Sequence, residues 1–216
     1  SEMCIRDSDI VALDGKVMRR TLDKANGNPA IHLVSAWSTQ NNLCLGQVLV
    51  DDKSNEITAI PKLIEILAIE GSTITPDAMG CQFKIANQIK EAGADFVFSL
   101  KGNQGEFCED ARLFLDNQLQ GGFQGVAHEV FESVDGDHGR IEQRKLWVTS
   151  DISWLIERHP RWESVKTVAV VESIREAKNP SCGGSSYARF YYVTSHQAQA
   201  KSFIARAIRD HWHVEN

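Results

Sequence analysis

The sequence predicts an α/β fold: a mixed sheet flanked by helices, with an inserted β-rich subdomain. Two changes of period carry that prediction. From Asp9 to Asp51 the apolar residues come in short, strand-length runs separated by polar breaks. From about Ser54 to Leu119, strand-like runs alternate with segments whose apolar residues recur at helical spacing. Beyond the glycines at 121 and 122, period-two alternation returns around a Gly-rich turn. With 216 residues, 42% of them hydrophobic, the chain can bury one full core and a small insertion.

Taken in order, DIVALDG (9–15) is an apolar run that ends on Asp14, and it reads as a buried strand delivering a carboxylate at its C-terminal end. IHLVSAWS (31–38) and LCLGQVLVD (43–51) flank Thr39-Gln40-Asn41-Asn42, a polar, Asn-rich break that signals a hairpin. Ser54 or Asn55 then caps a predicted helix on which Ile57, Ile60, Ile64 and Leu67 recur until Gly71. STITPDAMG (72–80) is a second strand ending on a carboxylate, Asp77. A helix over 81–93 comes next, with Gly93 as its C-terminal stop. ADFVFSLKG (94–102) is a further strand, and a helix from about Glu106 to Leu119 comes after it. A three-stranded meander succeeded by two strands that alternate with helices is the order of an RNase H-like sheet.

The stretch 127–150 predicts a β-ribbon, 164–176 and 187–195 a strand pair, and Ala198 onward a helix carrying Phe203, Ile204, Ala207, Ile208 and Trp212. One domain over 9–216 with a β-rich insertion at about 121–163 is the expected organisation. SEMCIRDS (1–8) is out of keeping with the rest of the chain and is expected to be a non-native or disordered stub. The tryptophans and the Tyr191-Tyr192 pair read as core.

No run approaches 18 apolar residues and the N-terminus has no apolar signal core, so neither a membrane span nor a secretory leader is predicted. Five cysteines with no CxxC spacing argue against a disulfide framework or zinc knuckle and for a reducing cytoplasm. The net charge of -6 counts against a nucleic-acid partner, because phosphate binding is mainly electrostatic. A basic groove on an acidic body is still compatible with it, as is a cluster of metal-binding carboxylates.

The chemistry centres on two strand-end aspartates, Asp14 and Asp77, each preceding a small residue. Phosphoryl transfer with two magnesium ions needs hard oxygen ligands on a rigid frame, and neighbouring strand ends supply one. Either aspartate alone is equally what a turn residue looks like. A third acid is needed, and spacing alone does not choose it.

The strings ALDGK (12–16), VDDKSNEITAIPKLIEIL (50–67), PDAMGCQ (76–82), SLKGNQ (99–104), HGRIEQR (138–144) and RDHWHVEN (209–216) resemble, in order, those of bacterial insertion-sequence transposases of the DDE class. The group that includes the H-repeat-associated proteins is the nearest in pattern, and the likeness runs over residues 10–216. The resemblance implies an RNase H-like core that cleaves DNA at element ends and joins the freed 3′-hydroxyl to target DNA. It implies Asp14, Asp77 and Glu215 as catalytic residues holding two Mg2+ or Mn2+ ions, with Asp14 bridging both. Double-stranded DNA is the implied partner, a homodimer the implied active form, and the cytoplasm, at the nucleoid, the implied location.

In the same frame Arg209 and His211 contact DNA phosphates. Lys16 and Arg19, with Arg20 and Lys24, form a positive stretch beside Asp14 suited to phosphate steering. Lys101 and Asn103 line the active-site rim, and His138, Arg140 and Arg144 on the ribbon bind the DNA backbone. Exposed charged loops and hairpins are the plainer reading of all three groups, as helix capping is for Asn55. Related sequences run on past the E-N string whereas this chain stops at Asn216, so a fragment of a longer protein is expected. A transposase-derived DNA-binding remnant without strand-transfer activity is the rival function.

Overall fold

A computed structural model describes residues 9–18, 32–50, 56–102, 105–137, 140–177 and 185–214. It is an α/β protein with mixed sheet and flanking helices, as an RNase H-like transposase fold requires. The chain divides into two compact units, 1–98 with 206–216, and 99–205.

The first unit is built on β1 (Ile10–Val17), β2 (His32–Ser38) and β3 (Leu43–Leu49), an antiparallel meander. Its turn uses the Asn-rich break as composition suggests. Asn42 sits at φ 52, a left-handed conformation that asparagine tolerates better than most residues. Asn41 donates from its side-chain amide to Ser38 Oγ at 2.9 Å and to the buried Asp9 Oδ2 at 3.3 Å, which ties the turn to the foot of β1. On the other side of β1, β4 (Thr73–Pro76) pairs parallel to it and β5 (Asp95–Leu100) pairs parallel to β4. The strand order β3-β2-β1-β4-β5 sets the expected meander on one side of β1 and the two parallel strands on the other.

One face of this sheet is covered by α1 (Glu56–Ile66), which buries Ala59, Ile60, Leu63 and Ile64. Gly46 of β3 admits it closely: a Cβ there would lie 3.2 Å from Leu67 and 3.6 Å from Leu63. Pro61, inside α1, removes one backbone donor, and its carbonyl accepts from Gln88 Nε2 of α2 (Phe83–Glu91) at 3.1 Å. Helix α2 stops where the sequence places its end: Gly93 has φ 74, and Ala94 N donates to Ile89 O at 3.1 Å.

The second unit holds α3 (Glu106–Gly121), α4 (Ser153–Arg158) and an antiparallel sheet of β6 (Glu129–Asp137), β7 (Arg140–Thr149), β8 (Thr167–Ala177) and β9 (Ser186–Thr194). The ribbon expected at 127–150 is β6 and β7. It does not stand apart from the later strand pair: β7 pairs with β8 from Arg140↔Ala177 to Thr149↔Val168, along its full length. The expected insertion at 121–163 therefore covers only part of a sheet that continues through β9. Helix α4 has no signal in the sequence, because six residues give too short a window for a period to show.

The last helix, α5 (Lys201–Val214), buries Ile204, Ala207 and Ile208. Trp212, expected in the core, is 39% exposed because the buried face of the helix continues through His211 instead. Trp154 is likewise 38% exposed, whereas Trp162, Tyr191 and Tyr192 are buried as predicted. Among the described residues no helix is long and apolar enough to cross a membrane.

Candidate active site

The parallel register of β1 and β4 runs from Ile10↔Thr73 to Leu13↔Pro76, and the next residues on the two strands are Asp14 and Asp77. The two residues thus sit on neighbouring strands, about 4.8 Å apart in any sheet: Asp77 just past the end of β4, and Asp14 within β1, which runs on, paired with β2, to Val17 instead of ending at the aspartate as the sequence suggests. The buried run Ile10–Leu13 fixes β1, and buried Thr73–Pro76 fixes β4, so both aspartates stand on rigid frame.

The strand alternation sends Val11, Leu13, Ile74 and Pro76 toward α1. Ala12 and Asp14 lie on the opposite face, with Trp37 and Ser35 beside them on β2 (Ala12↔Trp37, Asp14↔Ser35). The C-terminal part of α5, which belongs to the first unit, packs on this second face: His211 Nδ1 lies 3.2 Å from Thr75 Oγ1. An open cleft of about 550 Å³ lies here, lined by Asp14, Lys16, Ser35, Trp37, Gln47 and Asp210 among others.

Each aspartate has one committed oxygen. Asp14 Oδ2 is 3.2 Å from Lys16 Nζ, whose side chain is 62% exposed, so water screens that pair heavily. Asp77 Oδ1 accepts from Met79 N at 2.9 Å and Gly80 N at 3.2 Å, capping the short 3-10 turn Ala78–Gly80. The turn-residue reading of Asp77 is therefore correct as far as it goes. Asp14 Oδ1 and Asp77 Oδ2 take no hydrogen bond from any described residue. Hard carboxylate oxygens on adjacent strands are a donor set suited to Mg2+ or Mn2+. Among the described residues no group of three His, Cys, Asp or Glu side chains is assembled for a metal. Glu215 lies outside the described residues.

Arg209 is half-buried on α5, one residue before Asp210. Lys101 is exposed just after β5 and falls in the second unit. Arg140 opens β7, paired in register with Asp137 and Ala177. Arg144 is engaged within its own sheet, donating to Glu142 Oε1 at 3.0 Å and Oε2 at 2.6 Å and to Asp135 Oδ2 at 3.0 Å. A guanidinium so answered is a weaker phosphate ligand than an unpaired one. Arg19, Asn103 and His138 lie outside the described residues, as do Arg20, Lys24 and Asn55.

Sequence reasoning misses Ser35, Trp37, Gln47 and Asp210, which share the cleft with Asp14. A signal is present. Ser35 and Gln47 are polar interruptions in otherwise apolar strands, and each falls on the parity that faces away from α1.

The family model described as the transposase DDE domain matches residues 5–216. This chain belongs to the DDE transposase family. It is 45% identical over 190 residues to an uncharacterized protein in the dhlA 3′ region of Xanthobacter autotrophicus, an overlap of 88% of this chain and 61% of that protein. It is 38% identical over 211 residues to the "H repeat-associated putative transposase YhhI" of Escherichia coli K12, which takes in 97% of this chain and 54% of the relative. The transposase chain thus spans a little over half the length of these relatives.

Proposed function

We propose that this chain is the catalytic core of an insertion-sequence transposase, cleaving double-stranded DNA at element ends and joining the freed 3′-hydroxyl to target DNA. The observation that carries the reading is the alignment of Asp14 and Asp77 on adjacent parallel strands, each with one uncommitted carboxylate oxygen. Asp14, Asp77 and Glu215 hold two Mg2+ or Mn2+ ions in this account. When bound, such ions neutralise charge on the attacking and leaving oxygens of an in-line displacement.

The protein's own residues supply the positioning. The two amides on Asp77 Oδ1 fix that carboxylate's orientation, leaving its other oxygen for a cation. Lys16 engages one oxygen of Asp14 and leaves the other open. His211 anchors α5 to β4 at Thr75, two residues before Asp77, and Glu215 is four residues further along the sequence, the spacing of one helical turn. Arg209 and Lys16 steer DNA phosphates toward the acids. The active form is a homodimer, one protomer to each element end.

One observation favours the rival, a DNA-binding remnant without strand transfer: both aspartates already have intramolecular partners. A nicking assay on supercoiled DNA bearing element ends separates the two. Manganese-dependent nicking that Asp14→Asn and Asp77→Asn both abolish is the expected result. DNA binding without nicking, unchanged by either substitution, supports the remnant.

A further inference from the structure

The cleft beside Asp14 is more than the mouth of the carboxylate site. Asp14, Ser35 and Gln47 form one cross-strand rank, since Asp14 is the register partner of Ser35 and Ser35 that of Gln47. Two strand spacings carry this rank about 10 Å from the carboxylate. Gln47 Nε2 donates to Ser35 Oγ at 3.0 Å. That leaves the Ser35 hydroxyl proton, the second Gln47 amide hydrogen and the Gln47 carbonyl oxygen without a partner among the described residues. Trp37, in the adjoining rank, gives the cleft an aromatic wall. The lining offers mainly neutral polar and aromatic surface around the Asp14–Lys16 pair, which suits a nucleoside better than a bare phosphate.

We propose that this cleft is a nucleoside subsite, taking one nucleoside of the DNA strand that carries the cleaved phosphate. Ser35 and Gln47 bond its polar edge, and Trp37 lies against its base. A volume of about 550 Å³ is in the range of pockets that hold one small organic ligand, and too small for a stretch of duplex. An aromatic wall with a few uncommitted donors and acceptors is the chemistry that holds single nucleosides without strict sequence preference. The proposal rests on the reading of Asp14 as a cleavage-site carboxylate, which decides that the bound strand is the one being cut.

The test measures binding of a fluorescein-labelled short oligothymidylate in EDTA, beside manganese-dependent nicking, for the whole chain and its variants. Gln47→Leu and Trp37→Ala are each expected to weaken oligonucleotide binding by about tenfold, the usual scale for losing one stacked or hydrogen-bonded base. In nicking they raise KM and leave kcat unchanged. Trp37→Phe retains binding, and thermal melts establish that each variant is folded. Gln47 is exposed, so its variant remains informative should Trp37→Ala fail to fold. Thymidine competes with the oligonucleotide and inorganic phosphate does not. Wild-type binding that is absent, that survives Gln47→Leu in a folded variant, or that phosphate displaces as well as thymidine, overturns the subsite. Asp14→Asn separates the two readings: it abolishes nicking but keeps oligonucleotide binding. Loss of binding in Gln47→Leu without nicking by the wild type leaves the nucleoside site standing and sinks the cleavage reading.

Discussion

In the second unit a row of alternating charge crosses four strands in register: Glu132, Lys145, Glu172, Arg189. Its members pair with one another, Lys145 with Glu132 at 2.6 Å and Arg189 with Glu172 at 2.7 Å. Arg189 reaches on to Asp116 of α3 at 2.7 Å. A second knot ties Glu142 to Arg144, Arg175 and Ser173. The first unit does the reverse at its sheet's centre, where two aspartates leave adjacent strands and, among the described residues, no guanidinium bonds to either carboxylate. Charges that answer each other stabilise a fold, whereas a carboxylate oxygen left uncommitted on a rigid strand is open to a cation. The difference also shows how register sets the partners of a ribbon arginine, as β6 brings Asp135 to Arg144.

The sharpest way to break this comparison is at the aspartates. Asp14→Asn should lower nicking on the order of 10³-fold, the scale seen when a member of a catalytic set is removed. Stability should move by no more than about 0.5 kcal/mol, since the pair with the exposed Lys16 is worth little. Asp77 separates its two roles: Asp77→Asn keeps the cap on Met79 and Gly80 and loses nicking, whereas Asp77→Ala loses both. Removing the cap should cost about 1 kcal/mol in urea unfolding.

Arg189→Ala should do the opposite, costing about 1–2 kcal/mol of stability while a folded variant keeps its Mn2+ response. The figure is discounted because the side chains in this pair are about a third exposed. The smallest effect concerns Glu142. Burial disfavours its charge, but the Ser173 hydroxyl and the Arg175 and Arg144 guanidinia outweigh that and hold its carboxyl below the ordinary 4.5. A folded-state value below the unfolded one means the contribution is complete above about pH 4.5 and lost as pH falls through the folded value. Glu142→Gln should therefore flatten the acid limb of the stability profile, measured by urea midpoints from neutral pH downward.

Much of the first unit is legible in the sequence because its signals are local. Buried runs ending on Asp14 and Asp77, the Asn-rich turn, and Gly93 after a helical period each name an element without knowledge of its neighbours. The features that stay hidden depend on pairing across strands. Ser35 and Gln47 are unremarkable polar residues until the register sets them beside Asp14. Arg144 reads as a free cation until β6 and β7 supply Asp135 and Glu142. Trp212 reads as core by residue type, yet the buried side of α5 passes through His211. Glu215 is named by the string RDHWHVEN alone, since no spacing argument selects it from the other acids.

The central claim is that Asp14 and Asp77 together form a divalent-cation site, and thermal unfolding with and without manganese tests it most directly. A cation that binds only the folded chain stabilises it by mass action, by about 2.7 kcal/mol at a hundredfold excess over its dissociation constant, and so raises the melting temperature. The account predicts a manganese-dependent rise in the wild type that Asp14→Asn and Asp77→Asn each remove. A rise that survives both substitutions would place the cation elsewhere and contradict the account.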